Sequence, residues 1–208
     1  GLSRSLRQRA KELGVSLYSL LLSGYYLMLR AYSGQDDIVI GTPIANRHYV
    51  QLENMIGCFV NTLALRIQID PNNTIVEFIK NVGQEVIQAQ VHQDLPFEKL
   101  VDELKIAKDT SRHPIFQVMF QVYGLKFFNN KAAILDSSQL LLEECSIDEN
   151  HYSIAKFDIE TFIDDSQQVL TGTFNYAVSL YDEATITRFK ETYIRILEQI
   201  VSDKCKHL

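Results

Sequence analysis

The stretch from Leu17 to Tyr32 constrains this chain more than any other, because it reads as a helix that is apolar on nearly all sides. A surface helix keeps a polar stripe towards water, so a helix without one has to lie between other elements. The chain must therefore fold as a layered domain around this segment. Ser16 starts the helix and Ser33-Gly34 stops it. Its most apolar part, Leu17 to Leu29, is interrupted by Ser19, Ser23 and Gly24. It is also shorter than the ~20 residues that span a bilayer, so it predicts a core helix and no membrane span.

The flanking sequence supplies the other layers. A first helix is expected from Ser3, as its cap, to Gly14, with Leu2, Leu6, Ala10 and Leu13 at helical spacing. Asp37 to Thr42 and Val60 to Ile69 read as strands, and in the second Leu63, Leu65, Ile67 and Ile69 alternate with wetter residues. Thr74 with Glu77 forms a capping box for a helix through about Gln90. Pro96 suits the first turn of a short helix from Phe97 to Leu104. Strands are expected at Phe116 to Val122, Leu140 to Cys145, Ala155 to Ile163 and Gln168 to Tyr176, the last two joined by a turn at Asp164-Asp165. A final helix carries Ile186, Phe189, Tyr193, Ile196, Leu197 and Ile200 on one face. Helices and strands without regular βαβ alternation predict an α/β domain of the α+β kind, a two-layer sandwich whose helices cover one face of a mixed, mostly antiparallel sheet.

The 208 residues suffice for one domain spanning 1–208, and 46% apolar with 22% charged residues is an ordinary globular composition. A net charge of -6 without a dense Lys/Arg run argues against nucleic acid and anionic membrane as partners. Cys58, Cys145 and Cys205 are odd in number and contain no CxxC pair, which indicates neither a disulfide framework nor a zinc site and fits a reducing cytoplasm. No secretory leader pattern opens the chain.

Chemistry has few footholds. There is no GxSxG elbow, no clustered phosphate-binding glycine and no HxxxH or HExxH pair. We therefore assign no catalytic residue, no metal ligand and no directly bound cofactor. Four polar clusters in apolar or turn-forming context stand out instead. In GTPIANR, a strand ends and presents Asn46 and Arg47, either as a turn with a solvated arginine or as contact groups. In IGCFVNT, Gly57 permits close backbone approach and Asn61 with Thr62 opens an apolar strand; a buried Asn61 must either brace a loop or touch a ligand. In HQDLPFE, His92 and Asp94 sit between two helices, where Asp94 is suited to cap the second or to form an acid-base pair with His92. In DTSRHP, the backbone is held extended before Pro114, and Arg112 is placed near acidic or carbonyl groups of a neighbouring loop as a brace.

Taken in order, GTPIANR, IGCFVNTLALR, HQDLPFEKLVDEL and DTSRHPIFQVMFQ resemble the later signature motifs of condensation domains in nonribosomal peptide synthetases. The flanking segments LGVSLYSLLLSGYYLMLRAYSGQDDIVIGTP, AKFDIETFIDD and GTFNYAVSLYDEATITRF are similar too, so the resemblance runs from about Leu2 to Val201. Lys108, His113 and Ala64 depart from the commoner Arg, Asn and Cys of these motifs.

The resemblance implies a chloramphenicol acetyltransferase-like lobe. Complete members have two such lobes in a V, with the active site in a tunnel between them. Their HHxxxDG motif lies in the N-terminal lobe, and its second histidine assists attack of an acceptor aminoacyl amine on a donor thioester. This chain contains no HH pair and resembles the C-terminal lobe alone, so it is expected to be inactive by itself. Its implied partners are an N-terminal lobe, donor and acceptor peptidyl carrier proteins that present phosphopantetheine, and an adjacent adenylation domain. A homodimer through an exposed interlobe face is also expected. Asn46, Arg47, Asn61, Thr62, His92, Asp94, Arg112 and His113 are the candidate tunnel or interlobe residues, with the loop at Arg112 to Pro114 and the stretch near Gly172 to Tyr181 as candidate crossing segments. A carrier-binding module that works without an N-terminal lobe is the alternative.

Overall fold

The computed structural model describes residues 1–52, 54–106, 109, 112–124 and 155–202. Helix α1 (Leu2–Leu13) ends at Gly14, whose φ of 69° is the left-handed conformation that glycine adopts without steric cost. Helix α2 (Leu17–Ser33) begins where the Ser16 hydroxyl accepts from the Ser19 amide, and it ends at left-handed Gly34. Both helix ends are where the sequence puts them. The start of α1 is not: Gly1 occupies the cap, and Ser3 lies inside the helix, where its Oγ accepts from the Leu170 amide at 3.0 Å.

Strands β1 (Asp37–Ile44) and β2 (Asn61–Gln68) pair antiparallel around a connection that contains a short 3-10 turn, Val50–Leu52. Helix α3 (Ile75–Val91) starts with the predicted capping box: Thr74 accepts from the Glu77 amide, and the Glu77 carboxylate accepts from the Thr74 amide at 2.8 Å. Thr74→Ala removes the first of these bonds, and it is expected to cost about 1 kcal/mol of stability, read as a lower urea midpoint with an unchanged slope. Helix α4 (Phe97–Glu103), strands β3 (Val118–Tyr123), β4 (Ile159–Asp164) and β5 (Thr171–Tyr176), and helix α5 (Glu183–Ser202) complete the described elements. The strand expected at Leu140 to Cys145 falls outside the described residues. Three observed strands start two to four residues later than expected, because chain near a strand end keeps its alternation without being paired.

The sheet runs β2-β1-β3-β4-β5. Among the described residues it is mixed, as expected: β1–β2 and β4–β5 are antiparallel and hold most of the registered residue pairs, whereas β1–β3 and β3–β4 are parallel. Parallel neighbours need long connections. The chain passes through β2, α3 and α4 before returning to β3, and through residues 124–158 before β4. Alternating hydrophobicity locates a strand but says nothing of its direction.

Helix α2 packs on the sheet between α3 and α5. Leu20, Leu22, Tyr25, Tyr26 and Met28 are fully buried, which is the outcome its all-round apolar surface demands. The Tyr25 ring lies 5.0 Å from Phe120 and 5.9 Å from Tyr193, and its hydroxyl accepts from Thr161 at 3.0 Å. Tyr26 donates to the Leu65 carbonyl at 2.7 Å and Tyr193 to the Leu21 carbonyl at 3.0 Å, so these buried phenols are satisfied. A Cβ on Gly24 would stand 2.8 Å from Leu197 Cδ2, so glycine here lets α5 close onto α2.

Candidate functional site

The polar clusters meet at one corner of the domain, beyond the ends of β1 and β2. Asn61 is the first residue of β2 and lies opposite Ile44. Its Nδ2 donates to the Gln93 carbonyl at 2.9 Å and the Leu95 carbonyl at 2.8 Å, while its Oδ1 accepts from the Phe97 amide at 3.1 Å. The side chain thus fastens the α3–α4 turn to the sheet and satisfies the first amide of α4. Of the two roles open to Asn61 in the sequence, it performs the brace. Asn61→Asp keeps the shape but points a carboxylate oxygen at two carbonyls. A loss of about 2 kcal/mol is expected near neutral pH. Acidification restores part of it, because the introduced carboxyl, its folded-state pKa raised, regains a donor when protonated; urea titrations at two pH values read this.

Asp94 is not the cap of α4. Pro96 holds the cap position and has no polar side chain to make a cap bond, while Asn61 takes the Phe97 amide. The Asp94 carboxylate instead lies 3.2 Å from His48 Nε2, joining the β1–β2 connection to the same turn. His92 is exposed and shares a shallow depression of about 540 Å3 with Asp94, Leu95, Pro96 and Lys99. The acid-base pair imagined for His92 and Asp94 is therefore replaced by His48 with Asp94. His48 gave no sequence signal, since its partner lies 46 positions away.

Arg47 corrects a second expectation, being neither solvated nor free. It donates to the carbonyls of Leu52, of Met55 at 2.7 Å and of Gly57 at 2.9 Å, and its guanidinium carbon sits 4.4 Å from the centre of the Phe59 ring. One planar fork thereby organises the whole connection. Asn46 has a φ of 51°, which asparagine tolerates, and its buried Oδ1 has no hydrogen-bond partner among the described residues. The connection displays Val50, Ile56 and Val60, which are 75%, 104% and 61% exposed. Thr62 lies in β2 opposite Pro43.

Arg112 braces its own loop through Asp109, at 3.0 Å. His113 is held among aromatic rings, with centroids 5.3 Å from Phe97, 4.4 Å from Phe116 and 4.8 Å from Phe157, and its Nδ1 is 2.9 Å from the Pro114 carbonyl. Ile115 adopts a φ of 72°, unusual for a β-branched residue, within a tight turn in which the Phe116 amide donates to the Pro114 carbonyl at 2.9 Å. That turn lays Phe116 over Gly41, whose missing Cβ would fall 2.1 Å from the ring. Phe97, Phe116, Phe157 and Gly41 were absent from the sequence-derived site. The available signal was a glycine inside an apolar strand, which marks close approach of another group. Nearby, burial pushes the Asp158 carboxyl above its usual range.

This constellation is a set of braces. It shapes a corner from three sequence motifs and, among the described residues, contains no nucleophile poised beside a base. The sequence model of the condensation domain matches residues 1–207. The chain belongs to the condensation-domain family. Two curated relatives bear this out: N-(5-amino-5-carboxypentanoyl)-L-cysteinyl-D-valine synthase of Amycolatopsis lactamdurans is 38% identical over 200 residues, covering 96% of this chain. Surfactin synthase subunit 1 of Bacillus subtilis (strain 168) is 37% identical over 203 residues, covering 98%. The chain spans only 5% of the length of either relative. Among solved structures, the X-domain from teicoplanin biosynthesis superposes with a TM-score of 0.83 at 25% identity, covering 100% of this chain and 46% of that one. The fold of this condensation-domain chain is the chloramphenicol acetyltransferase-like α/β fold of its structural neighbours.

Proposed function

We propose that residues 1–208 act as the C-terminal half of a condensation domain in a nonribosomal peptide synthetase, where the complete domain joins a carrier-bound donor thioester to the amine of a carrier-bound acceptor. The observation that carries this reading is the way Asn61 and the His48–Asp94 pair fasten three of the family's motifs into one corner. The 46% coverage of a condensation-like domain supports a half-domain.

In this reading the chain's work is positional. The aromatic set around His113 and the apolar connection held by Arg47 form one wall of the substrate tunnel and part of the interlobe face. Asn46, Thr62, His92 and Arg112 are the polar candidates along that wall. The catalytic histidine arrives with the N-terminal half, and phosphopantetheine arrives on the carriers; the adenylation domain loads the acceptor. The exposed Val50, Ile56 and Val60 also support a concentration-dependent homodimer when that half is missing. The exposed, unpaired Cys58 fits a reducing cytoplasm.

Mixing this chain with a matching N-terminal half and both loaded carriers tests the proposal. Dipeptidyl-carrier is expected from the mixture and from neither half alone. Product from this chain by itself would instead support catalysis by its own residues, whereas carrier binding without product in any mixture would favour the stand-alone binding module.

A further inference from the structure

Strand β5 is an edge of the sheet among the described residues. The Ala177 amide donates to the Asp158 carbonyl at 3.1 Å, which makes these opposed residues a hydrogen-bonded pair. Bonded and non-bonded pairs alternate along an antiparallel ladder. The main-chain groups of Thr171, Thr173 and Asn175 therefore face β4, and those of Gly172, Phe174 and Tyr176 face outward. The outward parity is visible one step earlier, where the Leu170 amide is taken by Ser3 Oγ at 3.0 Å. Beyond it, the outward amides of Gly172, Phe174 and Tyr176 have no partner among the described residues.

Beside this edge, between α1 and α5, runs a groove of about 960 Å3 walled by Leu2, Leu6, Leu170, Phe174, Ile194 and Leu197. Its rim carries Arg4 and Lys190, both exposed and without an ion pair among the described residues, whereas Arg7 is held by the Asp165 and Gln167 carbonyls. An unpaired edge is normally blunted by charge, proline or a covering element. Here it adjoins an apolar trough whose lining includes the cations Arg4 and Lys190.

We propose that the outer edge of β5 and this groove accept one extended segment of another polypeptide, which joins the sheet as an added strand. Outward main-chain groups at every second residue demand a strand and not a helix, and strand side chains alternate between two faces. One set enters the groove and is apolar; the other lies over the side of Thr171 and Thr173 and is polar. The cationic rim selects an acidic residue at the end of the segment. This inference does not rest on the condensation reading.

The probe is a fluorescein-labelled heptapeptide of alternating valine and threonine that ends in glutamate. Binding by anisotropy should slow amide exchange at Gly172, Phe174 and Tyr176 by about 10-fold or more while leaving Thr173 and Asn175 nearly unchanged. N-methylating the peptide amides of one parity should weaken binding about 10-fold, and of the other parity less than about 2-fold. Lys190→Glu should weaken the glutamate peptide several-fold and favour a lysine-ended one. Equal loss with both methylation parities, equal binding of a peptide with the same residues in non-alternating order, or no protection at the three outward amides would each overturn the proposal.

Discussion

Raising the pH from 10 towards 12 is expected to unfold this protein in a single steep step, with tyrosinate absorbance from the core appearing only as the helices are lost. Burial pushes the Tyr18 phenol up to about 12 and holds those of Tyr25, Tyr26 and Tyr193 well above the ordinary value of 10.0. Thr42 tempers the Tyr18 shift, although among the described residues the Tyr18 hydroxyl has no partner in hydrogen-bond geometry. Below pH 10 the folded and unfolded chains both keep these protons, so the four phenols have no pH-dependent effect. Above it the unfolded chain releases protons that the folded chain retains, and stability falls by about 1.4 kcal/mol per pH unit for each tyrosine. With four contributing, one pH unit removes about 5.6 kcal/mol, comparable to the whole stability of many domains. Far-ultraviolet circular dichroism and tyrosinate absorbance followed together check this. If these four ionised with the helices intact, the burial on which the argument stands would be wrong.

Gly41→Ala is expected to cost about 3 kcal/mol, the upper range for overpacking a core. The introduced methyl would lie 2.1, 2.3 and 2.7 Å from three atoms of the Phe116 ring. That ring is 1% exposed and is stacked on Phe157 at 5.5 Å, with His113 at 4.4 Å and Phe97 at 5.5 Å, so it has nowhere to retreat without moving the aromatic set. The compensating pair is Phe116→Leu, which frees space over the glycine. The double variant should recover at least about 1 kcal/mol relative to the sum of the single changes. Urea midpoints measure both, and strictly additive losses would mean that the methyl clashes with something other than Phe116. In reconstitution with an N-terminal half, the same substitution should lower product formation more than Thr74→Ala does, because it displaces the proposed tunnel wall and not a distant helix cap.

The motifs that point to the condensation family were visible in the residues alone, yet their meaning changed once the chain was folded. In the sequence GTPIANR, IGCFVNT and HQDLPFE are open to two roles, local brace or contact with a ligand, and in the fold Arg47, Asn61 and Asp94 spend polar atoms on holding those loops in place. The aromatic walls and the exposed aliphatic side chains, with exposed polar groups such as His92 and Arg112, remain to meet a partner. Sequence spacing could not reveal this, because a long polar side chain looks the same whether its partner is a ligand or a carbonyl 34 positions away.

What the sequence determined by itself was decided by local interactions: the buried helix α2 with its Ser16 and Gly34 ends, the capping box at Thr74, the periodicity that separates strands from helices, and the ordered motifs. Each depends on residues within one or two turns of the chain, so each is written in adjacent positions. The tertiary structure alone decided the strand directions, the placing of Phe116 over Gly41, the pairing of His48 with Asp94 and the position of β5 at the edge of the sheet among the described residues. These depend on where distant segments meet, and that is set by the packing of the whole core, to which no single stretch of sequence holds the key.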